Sequence, residues 1–342
     1  MPTEDAAWVA AELARRFGAS HWSFTLSATD ANRWALRIVR QVTQRPKILV
    51  HSYCYHGSVD ETFVIATPEG SRSRPGNTGA PVDPTTTTRV VEFNDAAALE
   101  RELAGGDVAA VLMEPALTNI GIVLPEPGYL AAVRELTRSY GALLINDETH
   151  TFSAGPGGCT SAWGLDPDLV TIGKSIGGGI PCGAFGLSAA LAERIMGDDS
   201  ADLIDTGGVG GTLAGNALSV TAMRATLEHV LTEDAFALMI ALADRFTAGV
   251  RAVIDGRALP WSIVQLGARA EYRFSPRPPR SGGESHAAAD EALDEYLHLY
   301  LANRGVLITP FHNMALMCPA TADADVDVHS ELFAAAADEL VG

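Results

Sequence analysis

Two charged side chains, Lys174 and Asp147, follow short apolar segments and could act on the same substrate. Asp147 follows the apolar run 142–146, and Lys174 follows the run 168–173 and precedes the glycines at 177–179. Buried parallel strands deliver functional groups at their carboxyl ends, which share one edge of the sheet. A lysine amine can form an imine with an aldehyde, and a carboxylate can keep a pyridine nitrogen protonated. The pair therefore predicts a site for pyridoxal phosphate.

A nucleotide-binding loop is the main alternative for the same lysine, because Gly173, Lys174 and Ser175 resemble the end of a P-loop. That pattern requires a glycine at position 168, which is Asp168 here, so the loop could not wrap phosphates with its backbone amides. Asp147 and the glutamate after it resemble a helicase acidic box, but they precede the lysine, whereas helicases place the box after it. The nucleotide interpretation is therefore rejected.

Composition narrows the class of protein. The chain has 342 residues, of which 47% are hydrophobic and 19% charged, so it can bury a large core and is not disordered. Its formal charge of −18 opposes binding to nucleic acid or to anionic membranes. The cysteines have no paired spacing, so we predict no metal site and no disulfide framework. The acidic N-terminus has no apolar signal segment, and we expect a cytoplasmic enzyme.

Hydrophobic periodicity predicts alternating strands and helices, followed by a smaller α+β portion. Strand candidates are 21–26, 47–50, 108–113, 142–146, 169–172, 184–187, 262–275 and 306–309. Helix candidates are 6–17, one starting near Ala31, 129–140, 217–231, 233–254, one from a cap at Ser285 to Asn303, and 328–340, while 71–88 reads as a long loop. We predict a large, doubly wound, mostly parallel-sheet domain over residues 1–245 and a small C-terminal α+β domain over 246–342.

The remaining groups that hold the cofactor can be sought near these elements. Ser27, Ala28 and Thr29 precede the helix near Ala31 and offer free amides and hydroxyls to a phosphate. Tyr55 and His56 follow the strand 47–50 and could supply a flat partner for the ring. Two glycines before Thr212 allow close backbone approach to a second phosphate ligand. Taken singly, these signals are also typical of helix caps and surface turns.

Together the residues resemble a class III aminotransferase of fold type I among pyridoxal-phosphate enzymes, close to the glutamate-1-semialdehyde aminomutase branch. Six motifs occur in the order seen in that family and span nearly the whole chain. They are Ser27-Ala28-Thr29, Tyr55-His56-Gly57, Glu114-Pro115 with Asn119 and Gly121, Asp147-Glu148, Lys174 with its glycine run, and Gly211-Thr212.

The resemblance implies a role for each motif. It implies that Lys174 binds the cofactor covalently and then transfers protons, and that Asp147 pairs with the ring nitrogen. It implies that Tyr55 stacks on the ring, and that His56, Glu114, Asn119 and Thr149 line the site. It also implies a homodimer, in which Ser27, Ala28 and Thr29 bind the phosphate together with Thr212 of the other protomer.

Departures from the family pattern concern the substrate. His312 stands near the position where the aminomutase branch has a glutamate facing the substrate amine, and Thr149 and His150 make the floor of the ring site more polar. Arg269, Arg273 and Arg277 are candidates to bind a substrate carboxylate. Members of the family that the sequence resembles usually carry a further N-terminal segment that walls the substrate pocket, and we expect this segment to be absent here. We expect either a shortened form or a more open pocket.

These observations predict a pyridoxal-phosphate-dependent aminotransferase that moves an amino group between an amino acid or amine and a keto acid or aldehyde by a ping-pong mechanism. Alternatives within the family are an aminomutase, which keeps the amine on one substrate, and a racemase. An alternative of another class is a cofactor-binding relic with impaired catalysis.

Overall fold

The computed structural model describes residues 2–197 and 207–342. The strands are β1 His21–Thr25, β2 Lys47–His51, β3 Val64–Thr67, β4 Gly70–Ser73, β5 Thr88–Val91, β6 Val108–Met113, β7 Leu143–Asp147, β8 Leu169–Ile172, β9 Gly183–Leu187, β10 Ser262–Leu266, β11 Arg269–Arg273 and β12 Met314–Leu316. The helices are α1 Glu4–Phe17, α2 Ala28–Thr43, α3 Ala96–Leu103, α4 Tyr129–Ser139, α5 Gly158–Ala162, α6 Ala189–Met196, α7 Ala217–His229, α8 Glu233–Gly256, α9 Gly282–Ala287, α10 Glu291–Ala302 and α11 Asp323–Val341. None of these helices is long and apolar enough to cross a lipid bilayer.

A seven-stranded sheet in the order β1-β9-β8-β7-β6-β2-β5 forms the centre of the fold. Strands β5, β2, β6, β7 and β8 pair in parallel, and β9 is antiparallel to both of its neighbours. All six residues of β6 are buried, so helices and loops cover both faces of the sheet there. The predicted doubly wound, mostly parallel fold is confirmed.

A second sheet, β10-β11-β12, is antiparallel and lies in the C-terminal part of the chain with α9, α10 and α11. The long helix α8 precedes it and packs against β10 and α11. The predicted division at residues 245 and 246 lies inside α8, which runs without a break from Glu233 to Gly256. The two-domain division stays a proposal.

Four local predictions were wrong. The segment 262–275 is not one strand but a hairpin of β10 and β11. Ser285 does not cap a helix: it is buried inside α9, which begins after its cap Ser281, and α10 has its own cap at Asp290. The segment 306–309 is not a strand, because the third strand of the small sheet is β12. The supposed loop 71–88 contains most of β4, which pairs with β3 as a hairpin. Polar caps set the starts of α9 and α10, pairing with β11 selected 314–316 as the third strand, and tight turns placed β4 beside β3 and β11 beside β10.

Candidate active site

Neighbouring strand ends bring Asp147 and Lys174 to one cavity. Strands β7 and β8 pair in parallel with Asp147 opposite Thr171, and Lys174 lies two residues beyond the end of β8. Both side chains line a cavity of about 320 Å³. The other lining residues are Leu26, Ser27, Ala28, Thr29, Tyr55, His56, Gly57, Glu114, Thr149, His150, Gly179, Ile180, Pro181 and Cys182. Besides Asp147 and Lys174, most of the residues predicted to hold the cofactor are therefore in this lining.

Asp147 is buried and held by three donors. His56 Nδ1 and Asn32 Nδ2 each lie 2.8 Å from its Oδ2 atom, and the backbone amide of Thr149 donates to Oδ1 at 3.0 Å. Burial alone raises the pKa of Asp147, but the hydrogen bond and charge of His56, together with the bonds from Thr149 and Asn32, outweigh burial and hold the pKa below its ordinary value. Burial alone lowers the pKa of His56, but the neighbouring Cys54 and the bond with Asp147 raise it well above its ordinary value. The pair is therefore an imidazolium and a carboxylate.

Asn32 was missed from sequence. It is buried on α2, where its amide group donates to Asp147 and to the carbonyl of His56, and its Oδ1 accepts from Thr171 Oγ1 at 2.7 Å. Its signal in the sequence is a polar residue on the apolar face of an amphipathic helix, next to Ala31 and Ala35. A fully bonded amide there fixes the orientation of the carboxylate.

Lys174 sits in a tightly constrained turn. Its φ is 51°, in the left-handed region, and the residue before it, Gly173, packs on the start of α2. A Cβ atom at position 173 would come 2.8 Å from Ala28 Cβ and 2.9 Å from its backbone nitrogen. Burial lowers the pKa of Lys174, although the nearby Asp147 opposes this effect. A lowered pKa increases the share of neutral amine, the form that attacks a carbonyl carbon.

The N-terminus of α2 forms another wall of the cavity. The helix begins at Ala28, three residues earlier than predicted, and its cap Ser27 accepts a bond from the Asp30 amide at 3.1 Å. Ala28 and Thr29 thus lie in the first turn, where backbone amides have no partner within the helix. Gly57 has a φ of 81°, and a Cβ atom there would collide with Thr29. The geometry suits an anion at this wall.

Three residues that line the cavity each have a buried polar atom without a hydrogen-bond partner in the described part of the chain: His56 Nε2, Glu114 Oε1 and Thr149 Oγ1. The other carboxylate oxygen of Glu114 accepts from the hydroxyl of Thr118. Burial raises the pKa of Glu114 to about 7. Buried polar groups without partners are costly, so their presence at this wall indicates room for a polar ligand.

Two predicted cofactor residues lie outside this cavity. Asn119 is half-buried on the loop after β6, and Thr212 is exposed before α7. Their roles stay predictions.

A second cavity of about 440 Å³ adjoins the first and shares Thr149, His150 and Lys174 with it. Arg269 and His312, the predicted substrate residues, both line it. His312 Nδ1 lies 3.1 Å from Glu271 Oε1. Of the three candidate arginines only Arg269 reaches this cavity. Arg273 is buried and donates to the carbonyl of Ser285, and Arg277 is exposed.

Comparison with known proteins agrees with this geometry. The family model described as aminotransferase class-III matches residues 1–333. The chain belongs to the class III aminotransferase family. The predicted family is thereby confirmed, and so is the prediction that the chain belongs to a class of pyridoxal-phosphate enzymes.

Several class III relatives carry the name of one enzyme. Glutamate-1-semialdehyde 2,1-aminomutase of Opitutus terrae is 34% identical over 320 residues, covering 92% of this chain and 73% of that protein. A glutamate-1-semialdehyde aminomutase from Pseudomonas aeruginosa PAO1, solved as a lysine-to-alanine variant in complex with PMP, is 52% identical with a TM-score of 0.96. That match covers 99% of this chain and 76% of the other. An omega-transaminase from Sphaerobacter thermophilus is 30% identical with a TM-score of 0.88, and the match covers 100% of this chain and 80% of the other.

Proposed function

We propose that this class III protein is a pyridoxal-phosphate-dependent aminotransferase that moves an amino group from an amino acid or amine to a keto acid or aldehyde. The proposal rests on one observation: Lys174, Asp147 and the start of α2 line the same cavity. Pyridoxal phosphate has an aldehyde for the lysine, a basic ring nitrogen for the aspartate and a phosphate for the helix start. The ring, when bound, withdraws electrons from the substrate carbon next to the amine. Donor amine becomes carbonyl while acceptor carbonyl becomes amine, so nitrogen is conserved.

Each residue has a proposed task. Lys174 would hold the cofactor at its aldehyde group, and the Lys174 amine would move the proton at the substrate carbon. Asp147, kept ionised by His56 and Asn32, holds the proton on the ring nitrogen. Ser27, Ala28 and Thr29 bind the phosphate. Tyr55, Thr149 and Glu114 would contact the ring from the cavity lining, and Asn119 would contribute from the loop after β6, outside that lining.

The protein is proposed to act as a homodimer in which Thr212 contacts the phosphate in the partner subunit's site. Two observations support this arrangement. Thr212 is exposed and absent from the lining of its own chain's cavity, and the preceding Gly208 and Gly210 have positive φ values of 73° and 103°, which glycine adopts without strain. All four cysteines are free, which suits the reducing cytoplasm as the place of action.

An aminomutase is the second candidate, because the relative at 52% identity bears that name. An aminomutase moves the amine within one carbon skeleton and needs no keto acid, whereas an aminotransferase stops after one half-reaction without an acceptor.

The discriminating experiment uses the purified, cofactor-loaded protein. Glutamate-1-semialdehyde is supplied alone, and amino donors are supplied with and without pyruvate or 2-oxoglutarate. An aminotransferase gives multiple turnovers only with an acceptor. Multiple turnovers of semialdehyde isomerisation without an acceptor, together with no transfer to either keto acid, would show that the protein is an aminomutase instead.

A further inference from the structure

The lining of the second cavity combines apolar and polar side chains. Its apolar wall consists of Phe152, Leu231, Phe236, Met239, Met314 and Met317. Arg269, on β11, and His312, on the loop between α10 and β12, also line the cavity. Because Lys174 and His150 line both cavities, a molecule in the second cavity reaches the amine that performs the chemistry.

Arg269 is prepared to receive an anion. Only 3% of its surface is exposed, and its Nε atom has no hydrogen-bond partner in the described part of the chain. Its Nη2 atom donates to the carbonyl of Thr118 at 2.6 Å and lies 3.7 Å from Glu271 Oε2, which is also without a hydrogen-bond partner. These contacts fix the guanidinium without occupying every donor. A buried guanidinium with a free donor favours a carboxylate, which it binds more strongly than neutral groups.

His150 does not compete for that anion as a cation. Burial, followed by the charges of Lys174 and Arg269, lowers the pKa of His150 to about 3, and its Nδ1 atom lies 2.8 Å from Thr118 Oγ1. The ring is therefore neutral near pH 7 and positions Thr118 beside Arg269.

We propose that the second cavity selects amino donors that carry both a carboxylate and a hydrocarbon body, with Arg269 binding the carboxylate and the apolar wall covering the body. The inference rests on the proposed aminotransferase function and defines its substrate class. It disfavours dicarboxylic donors, whose second charge would lie against the apolar wall, and simple amines, which leave the buried Nε donor of Arg269 without an acceptor.

The test uses two pairs of donors that differ only by the carboxylate: phenylalanine with 2-phenylethylamine, and 3-amino-3-phenylpropanoate with 1-phenylethylamine. In the native holoenzyme, kcat/KM should favour the carboxylated member of at least one pair. Arg269→Met should lower the ratio of kcat/KM for the carboxylated donor to kcat/KM for the amine about a hundredfold, the usual scale for losing a charged hydrogen bond. Arg269→Lys should recover only part of the loss, and the exposed Arg277→Met is the matched control.

A binding readout separates this inference from the reaction itself. Titration calorimetry with 3-phenylpropanoate, which has no amine, should show binding to the holoenzyme that Arg269→Met abolishes and Arg277→Met retains. In a series of straight-chain amino acids, kcat/KM should rise about fourfold per added methylene as the apolar wall covers it.

Two outcomes would overturn the substrate assignment while leaving the aminotransferase intact. One is equal use of both members of each pair, and the other is carboxylate discrimination that survives in Arg269→Met. Failure of the proposed function looks different: the protein would bind no cofactor, or would transfer no amino group from any donor and bind no 3-phenylpropanoate.

Discussion

His56 Nδ1 lies 2.8 Å from Asp147 Oδ2 beneath the end of β7, with both side chains fully enclosed. This contact makes the ionisation of Asp147 depend on a residue that lies 91 positions earlier in the chain. Asn32, on α2, donates a hydrogen bond to the same carboxylate oxygen.

His56→Leu should therefore weaken the hold of Asp147 on a protonated ring. Without the imidazolium, burial raises the pKa of the carboxyl group. We expect a loss of roughly tenfold to a hundredfold in the half-reaction rate, the usual effect of removing an outer partner. Stopped-flow absorbance across pH measures it. A rate and pH profile equal to those of the exposed control His21→Gln would refute this role.

Lys174→Ala should abolish covalent attachment of the cofactor and leave the fold intact. The sequence has only two lysines, so Lys47, which lies at the start of β2 and pairs with Asp107 at 3.2 Å, is the natural control. After borohydride reduction, mass spectrometry should place the modification on Lys174 in the native protein and in Lys47→Ala. Modification of Lys47 in the native protein would contradict the assignment.

Gly173→Ala tests the packing between the lysine turn and α2. The added methyl would meet Ala28 at less than contact distance, so one of the two segments must move. We expect destabilisation of about 1–3 kcal/mol, the usual cost of overpacking, and weaker cofactor binding. Thermal unfolding and cofactor titration measure both. Gly256→Ala, where a Cβ atom meets nothing within 4 Å, should lack both effects.

His329 should make stability depend on pH away from the active site. It packs on Phe246 and Phe333, and burial lowers its pKa to about 4. The unfolded chain binds a proton near pH 6.5 that the folded chain accepts only near 4, so stability falls as pH drops through this window, by about 3 kcal/mol at most. Denaturant unfolding at several pH values should show a shallower fall for His329→Leu. If the free energy of unfolding of His329→Leu falls with pH as steeply as that of the native protein and of the exposed control His229→Leu, the prediction for His329 is wrong.

Thr212 can be tested by mixing two damaged protomers. Thr212→Ala and Lys174→Ala should each impair their homodimers. If Thr212 serves the partner's site, one site in the mixed dimer has both a native lysine and a native threonine, and activity returns. If Thr212 acted within its own chain, no site would be intact. Activity of co-purified mixed dimers, compared with each parent, decides between the arrangements.

Local patterns in the sequence determined much of the fold. Apolar runs ending in a polar residue located β7 and β8, and α1 was predicted within a few residues because its apolar face and closing Gly18 are local signals. The order of the motifs along the chain likewise indicated that Lys174, Asp147, Tyr55 and the start of α2 share one site. Such features are local to each segment and do not depend on distant contacts.

Only the tertiary structure decided which side chains meet. It paired His56 and Asn32 with Asp147, and it placed Arg269 at a cavity while leaving Arg277 at the surface. It also buried Glu114 deeply enough to raise its pKa to about 7. The physical reason is common to all of them: burial and electrostatic environment arise from segments remote in sequence, and residue type and spacing do not encode how those segments pack.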